Sequence, residues 1–116
     1  MKFTMIIAIV QDVKTDLVIN AARENGATGC TVITSARGEG LTPAKPFLCL
    51  TVEGQRDLWL RMVAEPLTTH ILEAISTAAG FEAEPGTGIA VTIDLEDAVG
   101  FSSQIKTIEQ EIESEI

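Results

Sequence analysis

Three features of this 116-residue sequence predict an α+β domain with the element order βαββαβ. The pattern strand, helix, glycine, strand occurs twice, over residues 3–37 and again over 57–95. Short β-branched runs alternate with apolar residues at helical spacing, the mark of sheet and helix layers sharing one core. The length suits a single domain, assigned here to residues 1–101, with residues 102–116 as a separate tail.

The first strand, residues 3–10 (Phe-Thr-Met-Ile-Ile-Ala-Ile-Val), is β-branched and apolar, and reads as a buried central strand. A helix over 15–25 follows, with Thr15 as its expected N-cap, Leu17, Val18, Ala21 and Ala22 on one face, and Gly26 past its end. Residues 28–37 have β-branched and small residues without helical period, which predicts the second strand. The glycine- and proline-broken stretch 38–46 is a candidate functional loop. Two strand-like runs come next, Phe47–Val52 and Asp57–Ala64, joined by an expected hairpin turn at Glu53-Gly54-Gln55-Arg56.

Pro66 opens a second helix over 66–79, whose Leu67, Ile71, Leu72, Ile75 and Ala79 share a face before Gly80 closes it. After a polar link, residues 89–95 alternate as the last core strand. Ile105, Ile108, Ile112 and Ile116, interleaved with glutamates, predict an amphipathic C-terminal helix. With right-handed crossovers this order is the ferredoxin-like arrangement: an antiparallel four-stranded sheet with both helices on one face. Its other face is left bare, and an apolar sheet face calls for a second copy to cover it.

A formal charge of −9, with only eight Lys and Arg, opposes nucleic-acid binding, which depends on neutralising phosphates. It opposes docking on an anionic membrane as well. The apolar run Met5–Val10 is too short to cross a bilayer, and Asp12 and Lys14 stand where a signal peptide would place its cleavage site, so the expected location is the cytoplasm. Cys30 and Cys49 are expected to be small buried hydrophobes in a reducing compartment.

No catalytic or metal-binding constellation is visible. His70 has no nearby ligand set and reads as an exposed helical residue, and no serine stands in a nucleophile elbow. Lys45 and Arg56 read as ordinary loop charges and Trp59 as packing, at a subunit boundary if anywhere functional. Glycines recur where strands begin or end: Gly29, Gly38 with Gly40, and Gly86 with Gly88. Such residues let backbone amides approach a ligand, and successive amides form an anion-binding hollow.

The chain as a whole resembles the PII signalling family over nearly all of residues 3–101. The family's Gly-x-Thr-Gly-x-Thr-Val signature is matched by Gly26-Ala27-Thr28-Gly29-Cys30-Thr31-Val32, and its basic residue followed by Gly-x-Gly by Arg37-Gly38-Glu39-Gly40. Residues 41–56 stand in place of the T-loop that contacts partners. Pro85-Gly86-Thr87-Gly88 matches the phosphate-cradling B-loop, and Leu95-Glu96-Asp97-Ala98-Val99 the final turn.

The resemblance implies a homotrimer whose inter-subunit clefts sense ATP, ADP or AMP without turnover. Gly29, Thr31, Arg37, Gly38, Gly40, Gly86, Thr87 and Gly88 are the expected ligand-binding residues. Residues 38–56 are then expected to signal ligand occupancy to a partner: a transporter, another membrane protein or an enzyme. Three cations of the family pattern are missing: Ile89 replaces the B-loop lysine, and Val99-Gly100-Phe101 stands near the two C-loop arginines. The tyrosine that some members modify is missing too, since the chain contains none. Two alternatives stay open: a ferredoxin-like metal-tolerance or small-molecule-binding protein that does not use nucleotides, and a small isomerase working through His70.

Overall fold

The two predicted repeats meet on one sheet. The computed structural model describes residues 2–27, 29–37 and 55–100. Its elements are β1 (Phe3–Gln11), α1 (Thr15–Glu24), β2 (Thr31–Arg37), β3 (Gln55–Ala64), α2 (Thr68–Ala79) and β4 (Gly88–Asp94), in the sheet order β2-β3-β1-β4. Every pairing is antiparallel, so the ferredoxin-like βαββαβ arrangement is observed. β1 lies inside, paired with β3 from Phe3↔Ala64 to Gln11↔Arg56 and with β4 from Thr4↔Asp94 to Val10↔Gly88.

The strand period of two sorts β1 into faces. Thr4, Ile6, Ala8 and Val10 are buried beneath the helices, and the residues between them are half-buried, so β1 is covered fully on one face only. Val18 and Ala22 of α1 meet this face together with Ile71, Ile75 and Ala79 of α2. Burying one aliphatic side chain of this kind contributes about 1.5–3 kcal/mol. Trp59 fills the centre of the core with no exposed surface, opposite the small Ala8 on β1, and so lies inside the protomer and away from any subunit boundary. α2 ends on Gly80, whose left-handed φ of 70° lets its N–H close on the Ser76 carbonyl, the ending its position predicts.

Several local expectations are corrected. Thr15 is the first residue of α1, where Lys14 is the N-cap without a side-chain bond, and the Thr15 hydroxyl instead donates to Asp57 Oδ2 of β3 at 2.7 Å. Leu17 turns outward and is exposed, because the buried face of α1 centres on Val18, Ala21 and Ala22. Pro66 sits in a single 3-10 turn, Glu65–Leu67, ahead of α2. β3 starts two residues early, so Gln55 and Arg56, expected in a turn, pair with Arg37 and Ala36. Cys30 is exposed just ahead of the edge strand β2. Cys49, Gly38, Gly40, the expected strand 47–52 and the tail 102–116 lie outside the described residues.

The face away from the helices is apolar across all four strands. Ile33, Leu58, Ile9 and Ile89 form one row by direct pairing, and Leu60, Ile7 and Val91 form the next. Ile33, Ile89, Val91 and Ile93 are 50%, 58%, 43% and 50% exposed, which is the uncovered surface the topology predicts.

Candidate ligand-binding site

The glycine turn before β4 is anchored to both central strands. The Gln11 amide at the end of β1 donates to the Thr87 carbonyl at 3.0 Å, and Arg56 Nη2 on β3 donates to the Gly86 carbonyl at 3.1 Å. Thr87 is buried and folds back on its own turn, its hydroxyl donating to the Glu84 carbonyl at 2.8 Å and its N–H to the same oxygen at 3.3 Å. Of the three amides expected to face an anion, that of Thr87 is therefore already engaged. Lys14 steadies the start of the turn, donating to the Ala79 carbonyl at 2.8 Å and to Glu84 Oε2 at 3.2 Å.

The two glycines serve different ends. Gly86 has φ of 87°, and a side chain there would meet nothing within 4 Å, so open space borders it. Gly88 is packed: a Cβ would lie 2.5 Å from Phe81 Cε1. A groove of about 530 Å³ borders the turn, lined by Gly86 and Gly88 together with Leu72, Phe81, Glu73 and Glu82. Its two carboxylates repel an anion. The continuous β1–β3 register instead puts Arg56 on the uncovered face, in line with Leu58 and beside Gln11.

The remaining expected residues stand elsewhere in the protomer. Thr31 pairs with Leu60 on the uncovered face, and Gly29, with φ of 87°, lies close to the Arg61 guanidinium. Both lie at the β2 edge, with two strands between them and β4, so one protomer does not bring Gly29 and Thr31 to Gly86–Gly88. Arg37 is set by a β-bulge between Ile33 and Ala36, where Ser35 adopts a left-handed φ of 63°. The extra residue shifts the pleat by one, so Arg37 opposes Gln55 on the helix side while Ala36 takes the face of Arg56.

Arg56 is the residue that sequence reasoning missed. It is 8% exposed, and its Nη1 is buried without a hydrogen-bond partner. Its only signal in the sequence is a cation directly ahead of an apolar strand, which a loop charge gives equally well. Among the described residues no group of His, Cys, Asp and Glu could hold a metal ion, and no helix is long and apolar enough to cross a membrane. His70 is exposed beside an open surface hollow shared with Glu24 and Glu73, a setting without the closed cleft an isomerase would need.

Comparison with known proteins gives a consistent picture. The family described as nitrogen regulatory protein P-II matches residues 3–104. Among curated proteins no sequence matches. The fold is similar to that of CPII from Thiomonas intermedia, a nitrogen regulatory PII-like protein. Its structure bound to ADP, AMP and acetate superposes with a TM-score of 0.67 at 16% identity, covering 90% of this chain and 93% of that one. Its apo form gives 0.63 at 17% identity, covering 82% and 90%. A protein from Thermus thermophilus, described as PII-like and signalling, gives 0.57 at 22% identity, covering 81% and 86%. At such identities the likeness speaks for the fold.

Proposed function

This chain belongs to the nitrogen regulatory protein P-II family, and on that premise we propose that it is a non-catalytic cytoplasmic regulator that senses an adenine nucleotide in clefts between identical subunits. The observation that carries this reading is the position of the Gly86–Gly88 turn. It is tied to β1 and β3 at the rim of an apolar face that a second copy would cover. In this reading a copy packed there brings its own β2 edge, with Gly29 and Thr31, toward that turn; within one protomer β2 and β4 stand at opposite edges of the sheet. The CPII structure with ADP and AMP supports the ligand class.

In this reading the assembly is a trimer, and the nucleotide sits against the open side of Gly86. Residues 38–56, including Gly38 and Gly40, carry the signal to a partner protein. A ligand shifts such an equilibrium only by its unequal affinity for two states, so the segment must contact the ligand differently in each. With Ile89 where the family pattern has lysine, the triphosphate of ATP finds fewer cations, which favours ADP or AMP.

Calorimetric titration of the purified protein with ATP, ADP, AMP and bicarbonate, alongside its mass in solution, tests the proposal. Saturable binding of ADP or AMP to a trimer is the expected result. A trimer that takes up none of the nucleotides overturns the sensor reading and leaves the fold intact.

A further inference from the structure

We propose that Lys14 is the positioning residue of the Gly86–Gly88 turn, holding the start of that turn in the one conformation that a ligand meets. The consequence for ligand affinity rests on the reading that this turn borders the nucleotide cleft, whereas the hold itself is a property of the free protein.

Residues 11–14, where β1 passes through a 3-10 turn into α1, clamp the turn at both ends. The Gln11 amide fixes the far end through the Thr87 carbonyl at 3.0 Å. The Lys14 ammonium fixes the near end, donating to the Ala79 carbonyl at 2.8 Å and to Glu84 Oε2 at 3.2 Å. It packs against the left-handed Gly80, where an added Cβ would meet Lys14 Nζ and Glu84 Oε1 at 3.6 Å each. Pro85 and Gly86, between the two clamps, are exposed.

The chemistry suits a lasting tie. The Ala79 carbonyl is among the last of α2, which have no partner within the helix, and the partial negative charge of a helix C-terminus attracts a cation. With its side chain only 15% exposed, Lys14 is screened little by water, which strengthens its charge-assisted hydrogen bonds relative to those of a surface lysine. Glu84, held to the ammonium by its side chain, uses its main-chain oxygen to accept both the Thr87 hydroxyl at 2.8 Å and the Thr87 N–H at 3.3 Å. Lys14 thus reaches Thr87 in two steps, and the orientation of the exposed Gly86 peptide follows from that hold.

Amide exchange in the free protein, together with calorimetry using AMP and adenosine, tests this on three proteins. These are wild type, Lys14→Met, which keeps the length of the side chain, and Lys14→Arg, which keeps its charge, each checked for mass and unfolding midpoint. Lys14→Met should speed exchange of the Thr87 amide about ten- to hundred-fold and leave that of residues 6–10 unchanged, with Lys14→Arg restoring most of the protection. A share of the molecules then has the turn open, so AMP should bind about three- to tenfold more weakly, while adenosine, which lacks the phosphate, keeps its affinity. A residue that merely stabilises the fold would move all amides, and both ligands, together.

Unchanged exchange at Thr87 in a folded Lys14→Met overturns the proposal, and so does faster exchange spread evenly over β1. Faster exchange at Thr87 with AMP binding kept overturns the positioning role while the nucleotide reading stands. Faster exchange confined to the turn, in a protein that binds no nucleotide, upholds the hold of Lys14 and overturns the nucleotide reading. Should Lys14→Met not fold, Glu84→Ala decides, since it removes the carboxylate from the same tie: Thr87 exchange equal to wild type overturns the proposal.

Discussion

Gly88 faces Phe81 so closely that a Cβ in place of its hydrogen would lie 2.5 Å from the ring and 2.9 Å from the carbonyl oxygen of Ile9. The first of these contacts can relax by tilting the ring. The second cannot, because Ile9 belongs to the central strand. Gly88→Ala should therefore cost about 1–3 kcal/mol, and adding Phe81→Leu should recover only part of it. Urea unfolding followed by the fluorescence of Trp59, the chain's single and fully buried tryptophan, measures both.

Ser35 tests the opposite effect. Its φ of 63° is a conformation that L-residues adopt at a cost and glycine adopts freely. Ser35→Gly should raise stability by about 0.5–1 kcal/mol, whereas Ser35→Val should lower it or remove the bulge. Removing the bulge would bring Arg37 onto the face of Arg56.

Thr15 and Asp57 form a buried pair that joins α1 to β3. Thr15→Val keeps the shape but strips the carboxylate of its donor, which should cost about 1–3 kcal/mol in denaturant unfolding. Replacing both with apolar residues, Thr15→Val with Asp57→Leu, should lose less than the single change, since no buried charge is then left unpaired.

Val91 lies midway along the edge strand β4 on the uncovered face and is 43% exposed in the protomer. Val91→Lys should leave the protomer folded, yet prevent copies from packing on this face. Light scattering should find a monomer, and nucleotide binding should fall with the assembly. A variant that remains fully assembled would show that subunits meet elsewhere.

Much of this architecture was legible because period and punctuation carry it. The stripe Ile71, Ile75 and Ala79 ends at Gly80 as predicted, and alternation along Ile89, Val91 and Ile93 marks both β4 and its uncovered side. The missed features depend on what lies across the sheet. Nothing local tells that the Thr15 hydroxyl prefers Asp57 to a cap, or that Arg56 is a strand residue reaching the carbonyl of Gly86. Nor does a stretch such as Thr34-Ser35 announce that it holds one residue too many, because a bulge is defined only against the partner strand.

The inner position of β1 also governs how the chain acquires its shape. Thr4 finds Asp94 and Phe3 finds Ala64, so the earliest strand leaves the ribosome long before either neighbour exists. Such distant partnerships slow collapse to the native state and leave a sticky apolar ribbon waiting, a stage at which holding by a chaperone would raise the yield of functional protein.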